Sequence, residues 1–175
     1  MIYACCNEHR RAAVLGNPAL NGIDYLEVLD HEAPAGSPRQ QTLLVHCLKP
    51  APGTLGPANI YITGGESITG ITAAWAAPAS APPPQALPTE ATYFRSLPDA
   101  ANTLVVRTSV AGDFSPYCMR LVNDAEQAAQ DPFTITEALT GFDPLLAEVE
   151  FSFKVECGPD FDCAPTVPDC PPADL

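Results

Sequence analysis

The chain has 175 residues, among them 20 prolines, 11 glycines and only two lysines, and its formal net charge is −13. That length holds one domain with a real hydrophobic core, and the proline and glycine content predicts many turns, few long helices and a β-rich body. The charge excludes nucleic acid and anionic membrane as partners, since both require a cationic face, and leaves protein partners open.

Asn7 is placed to cap a short helix, "EHRRAAVLG", which Gly16 and Pro18 end. "IDYLEVLD" (23–30) alternates Ile23, Tyr25 and Glu27 against Asp24, Leu26 and Val28 and reads as a strand with one partly polar face, a helix being the alternative. "HEAPAGSPRQ" is a loop, and "TLLVHCLKP" (42–50) is a buried strand ended by Pro50. "ANIYITGG" and "ESITGITAAWAA" read as two strands meeting in a hairpin turn near Gly64 and Gly65. "APASAPPPQALP" (77–88) reads as an extended surface linker, because successive prolines remove donors and fix the backbone.

Three further strands follow in "NTLVVRTSV" (102–110), "PYCMRLV" (116–122) and "AEVEFSFKVEC" (147–157). In the last, Glu148, Glu150, Ser152 and Lys154 alternate with Val149, Phe151, Phe153 and Val155, so one face is wet and the other packs. "DAEQAAQDPFTITEALTGFDP" is an insertion-like loop with one helical turn before Pro132. About seven strands at this spacing predict an antiparallel immunoglobulin-like or fibronectin-like sandwich. The expected division is a helical segment over 1–22, the sandwich over 23–156 and a Cys/Pro-rich tail over 157–175.

No apolar run approaches the roughly 20 residues that span a bilayer, and "MIYACCNEHRRAAVLG" lacks the basic start and apolar core of a secretory signal, so the chain reads as cytoplasmic. A reducing compartment leaves thiols free or metal-bound. Of the seven cysteines, Cys47 and Cys118 lie in apolar strands and read as small buried side chains. The tail "VECGPDFDCAPTVPDCPP" carries Cys157, Cys163 and Cys170, with five and six residues between them, where proline and glycine prevent a regular element. Such a segment must gain order from something besides a backbone ladder, and a bound metal is one source. Three thiolates need a fourth ligand for tetrahedral zinc or a four-iron cluster, and Cys5 and Cys6 are candidates from the other end of the chain. The spacing departs from paired zinc-finger cysteines, and proline beside cysteine in "CAP" and "CPP" leans toward an iron–sulfur site with a structural role; free thiols and disulfides stay open as alternatives.

No catalytic constellation accompanies them. His9, His31 and His46 are scattered, and His46 in an apolar strand reads as a packed, hydrogen-bonded histidine. The acids of "DFDC" and "GFDP" read as caps or solvated groups, and the close glycines of "ITGGESITG" lack the strand–loop–helix lysine of a phosphate cradle, so they read as turn residues.

Together, "CCNEHRRAAVLGNPALNGIDYLEVLD", "RQQTLLVHCLKP", "NIYITGGESITGI", "LVVRTSVAGDFSPYCMRLV", "GFDPLLAEVEFSFKVECGPDFDC" and the following "CPP" resemble the N-terminal region of baseplate assembly proteins of phage-tail-like contractile injection systems. "LNGIDYLEVLD" and "EVEFSFKVECGPDFDC" are the most specific pieces. The resemblance implies a non-enzymatic structural subunit, related to the wedge proteins of the phage tail J family that ring the spike hub and connect it to the sheath. It implies as partners other baseplate, hub or spike and sheath-proximal subunits in a particle assembled in the cytoplasm. Wedge proteins of this kind are much longer, so the expectation is a wedge subunit or a fragment of one. Strand edges and the loops 77–102 and 123–146 are the expected contact surfaces. The rival readings are a stand-alone immunoglobulin-like binding module and an iron–sulfur or zinc redox protein.

Overall fold

In the run "TLLVHC" every residue is buried, and this run forms strand β3 (Thr42–Cys47). A strand buried along its whole length needs cover on both faces. A computed structural model, which describes residues 2–4, 8–130 and 138–154, shows what supplies it. β3 pairs antiparallel with β2 (Ile23–Leu29) and β6 (Thr103–Thr108), and β1 (Ile2–Ala4) and β5 (Ala73–Pro78) extend that sheet to the order β1-β2-β3-β6-β5. A second antiparallel sheet has the order β4-β7-β8, from Ile60–Gly64, Tyr117–Leu121 and Glu148–Phe151. With β1 set aside, the first sheet reads A-B-E-D and the second C-F-G, the strand order of a constant-type immunoglobulin domain. The expected sandwich is present, with a connectivity that strand spacing alone could not supply.

The core fills the space between the sheets. Leu26, Val28, Leu43, Val45, Leu104 and Val106 meet Ile60, Ile62, Met119, Leu121, Val149 and Phe151. A bulge between Ile23 and Tyr25 shifts the β2 register, so that Ile23, Leu26 and Val28 share the inner face while Tyr25 and Glu27 turn outward. At the start of β7 the Tyr117 hydroxyl accepts the Asp113 N–H at 3.1 Å and donates to the Ile68 carbonyl at 2.7 Å. A tyrosine at this place that bonds backbone four residues upstream is the tyrosine corner of immunoglobulin-like sandwiches. Antibody domains place a disulfide cysteine two residues further on; here that position is Met119, fully buried.

The outer face of the larger sheet is covered by α2 (Pro88–Ser96), whose Phe94 packs with Leu29, Leu44, Trp75, Ala79 and Val105. This differs from the expected surface linker and loop. Residues 79–87 are non-helical, but Ala79 is fully buried, its N–H bonds the Thr103 carbonyl at 2.8 Å, and a helix begins at Pro88. Proline tolerates the first helical position because the N–H it lacks would be unpaired there, and Glu90 two residues later bonds back to the Leu87 N–H at 2.9 Å. Glu90 is 1 % exposed and is bound by the Arg107 guanidinium, which also donates to Thr42 Oγ1 at 3.0 Å and lies 5.2 Å over the Trp75 ring.

The expected hairpin at Gly64 and Gly65 is not formed. β4 belongs to the smaller sheet and β5 to the larger, and the chain crosses between the sheets over residues 65–72. Two glycines at positive φ signal a tight reversal, and a hairpin and a sheet-to-sheet crossing both use one. The helical turn expected before Pro132 is α3 (Ala125–Gln130), where Asp124 accepts the N–H groups of Glu126 and Gln127. The helix expected near the N-terminus is α1 (Glu8–Gly16).

Two outcomes follow from these contacts. Tyr117→Phe keeps the ring but strands the Asp113 N–H and the Ile68 carbonyl, and is expected to lower unfolding free energy by about 1–3 kcal/mol in urea titrations. Burial pushes the Glu90 carboxyl upward, but the Leu87 N–H and the Arg107 guanidinium outweigh it and hold the group below its ordinary value. A carboxyl depressed in the folded state stabilises above the unfolded-state value and loses that contribution as pH falls through the folded value. The wild-type urea midpoint is therefore expected to drop below about pH 4.5, and that acid-side drop is expected to be shallower in Glu90→Gln, which is already weaker at pH 7.

Candidate functional site: an assembly surface

The five cysteines proposed to hold a metal, Cys5, Cys6, Cys157, Cys163 and Cys170, lie outside the described residues. Cys47 is buried, and desolvation pushes its thiol up to about 12, which leaves no thiolate for chemistry. Cys118 is half-buried on the outer face of the smaller sheet, and burial first, then Glu148, raises its thiol. Among the described residues no group of three or more histidine, cysteine or carboxylate side chains is arranged to hold a metal ion.

His46 turns to the outer face of the larger sheet. Its Nδ1 lies 2.6 Å from Asp99 Oδ2 and 3.1 Å from Thr103 Oγ1, its Nε2 lies 3.1 Å from Glu27 Oε2, and the Tyr25 ring stacks on it at 4.1 Å. With both nitrogens engaged and the side chain 5 % exposed, the ring presents nothing to a substrate. His46 ties β3 to β2 and to the turn before β6, as a packed histidine should.

The glycine loop resolves in the same direction. The N–H groups of Ser67 and Ile68 bond Asp113 Oδ2 at 2.9 and 3.0 Å, and Asp113 Oδ1 accepts the Ser115 N–H at 2.8 Å. The Ser115 hydroxyl and these amides hold the Asp113 carboxyl well below the usual carboxylate range. Those amides are thus occupied by the chain's own carboxylate, and a Cβ on Gly65 would sit 2.1 Å from the Ile68 carbonyl oxygen. Asp143, of "GFDP", caps its own turn through the Leu145 N–H at 3.0 Å and pairs with Arg10 at 2.6 Å. Burial pushes its carboxyl up, and these two partners more than offset it.

"LNGIDYLEVLD" has a role that sequence reasoning missed. Asn21 Oδ1 accepts the Gly22 and Lys49 N–H groups, and its Nδ2 donates to the Lys49 and Pro50 carbonyls. Its backbone joins residues 141 and 143, and a Cβ on Gly22 would meet Leu146 Cβ at 2.7 Å. Lys49 Nζ in turn donates to the carbonyls of Val14, Asn17 and Leu20, placing a cation at the C-terminus of α1. Asparagine–glycine alone reads as a turn; only the distant partners reveal a clasp.

Charge and strand edge both reach the surface, beside the exposed apolar side chains of Leu15, Leu87, Val110, Phe114 and Leu145. Arg10, Arg11, Arg39, Arg107 and Arg120 are each paired with a carboxylate of this chain, and with 21 acidic residues against 8 basic ones the balance is acid in surplus. β1 and β5 border the larger sheet, β4 and β8 the smaller. β5 ends in Pro78 and is bulged between Ala73 and Trp75, features that blunt an edge. β4 has neither. No described helix is long and apolar enough to cross a membrane.

A family model described as phage baseplate assembly protein, N-terminal domain, matches residues 1–151, the whole of the chain up to the end of β8. No curated protein and no solved structure matches it. An acidic sandwich whose polar clusters are spent on its own loops and helices suits that description of a part in an assembly, and the chain belongs to the family of phage baseplate assembly protein N-terminal domains.

Proposed function

We propose that the protein is a structural subunit, of wedge type, in the baseplate of a phage-tail-like contractile injection system. It acts by binding other baseplate, hub or spike and sheath-proximal subunits, and it catalyses nothing. The family match over residues 1–151 carries this reading. The internal use of His46, Asp113 and Asp143 supports it, since each polar cluster already has partners within the chain. Trp75 is 9 % exposed beneath Arg107 and against Phe94, so it offers no platform for stacking a sugar, and the binding-module reading loses its best aromatic. Co-expression with sister subunits of the baseplate is expected to recover the chain in a complex of defined stoichiometry on gel filtration; a chain that stays alone in every combination contradicts the reading.

A structural metal at Cys157, Cys163 and Cys170, closed by Cys5 or Cys6, is part of the same proposal. The support is three thiols in a segment whose prolines and glycine lead the sequence to predict no regular ladder. Anaerobic purification followed by iron, sulfide and zinc analysis is expected to give iron with sulfide, or one zinc per chain, lost on Cys157→Ser. A stable, metal-free protein would remove the metal and leave the assembly role standing.

A further inference from the structure

β4 pairs with β7 alone among the described residues. The Asn59 carbonyl accepts the Val122 N–H at 3.0 Å and the Gly65 N–H donates to the Pro116 carbonyl at 3.2 Å, which fixes the phase of the ladder. Tyr61 and Thr63 therefore direct their backbone groups toward β7, and Ile60 and Ile62 direct theirs away from it. The Ile60 N–H turns back to the Pro57 carbonyl. The Ile60 carbonyl and both backbone groups of Ile62 have no partner among the described residues.

That free row borders a cleft of about 760 Å³. Ile60, Ile62, Ile71, Ala125 and Ala129 give it apolar walls; Asp124 and Glu126 stand in its lining, and lysine and arginine do not. An apolar cleft beside an unpaired strand edge is the geometry in which an extended segment gains ladder bonds and side-chain burial together. The charge selects the segment. A second copy of this chain would bring another −13 to an acidic lip, whereas a basic strand finds complementary charge.

We infer that β4 is the docking edge for an extended, basic segment of a different protein subunit, which adds a fourth strand to the smaller sheet. This rests on the assembly role and gives it a partner chemistry and a place. The segment alternates apolar side chains, turned to Ile71 and Ala129, with lysine or arginine turned to Glu126.

The full chain, labelled for amide exchange by NMR, is titrated with an alternating lysine–valine peptide of about nine residues. Saturable binding is expected to slow exchange of the Ile62 amide about tenfold and to weaken as salt rises. Ala58→Arg with Thr72→Arg, both exposed positions in the cleft lining, is expected to abolish it, and Ala12→Arg on exposed α1 to leave it intact. Matching urea midpoints identify the pair of cleft substitutions as folded. The inference is overturned by equal binding of a glutamate–valine peptide, by binding that survives the cleft substitutions, or by an Ile62 amide already protected in the free chain, which would mean the chain covers its own edge. If the cleft variant co-assembles with sister subunits as wild type does, the docking edge is wrong and the assembly role stands. If wild type itself fails to co-assemble, the role and the edge fall together.

Discussion

Burial of β3 on both faces is the constraint on which the structure depends. Leu43 and Val45 point into the space between the sheets, and Leu44 points to the layer beneath α2. A strand so placed cannot turn a face to water, so the chain must supply a second sheet on one side and a helix on the other. The second layer in turn forces polar groups inside. Arg107 and Glu90 are out of water together, and an ion pair there is tolerated only because backbone, hydroxyl and ring partners complete it. His46 sits beside the same layer and is satisfied in the same way. The buried polar groups Arg107, Glu90 and His46 are therefore the cost of covering β3 twice.

The strands were legible because their burial is simple. Val149 and Phe151 alternate with Glu148 and Glu150 along β8, and Phe153, buried just past the end of the strand, keeps the same phase. β2 was read correctly as a strand although its phase changes at the bulge after Ile23, a shift that the alternation of side chains alone does not reveal. The crossing at Gly64 and Gly65 was misread because positive φ records a reversal of the chain and not where the chain goes next. α2 escaped notice for a related reason. Its proline neighbours suggested an open linker, while the start signal, Pro88 with Glu90 two residues on, is local and brief.

Function was less legible than fold, and the reason is physical. An assembly part is specified by which backbone edges are left open and by where surplus charge stands. Neither has a motif. That β4 has no second strand partner among the described residues depends on its pairing with β7 across more than fifty residues of sequence, and although the acid surplus can be counted in the sequence, which carboxylates Arg10, Arg11 and Arg107 neutralise is visible only in the fold. The clasp at Asn21 shows the opposite case: "LNGIDYLEVLD" is one of the two most family-like pieces of the chain, and its role is to hold α1, the end of β3 and residues 141 and 143 together. Family identity here is written in what keeps the sandwich closed.

The central claim is that this sandwich is a rigid part whose work is done at its surface within a larger particle. Electron cryomicroscopy of particles assembled from the co-expressed baseplate subunits tests it most directly. The account predicts density for the intact two-sheet sandwich, with α2 still seated on the larger sheet and neighbouring subunits against its edges. Particles that assemble fully and lack this chain would contradict it.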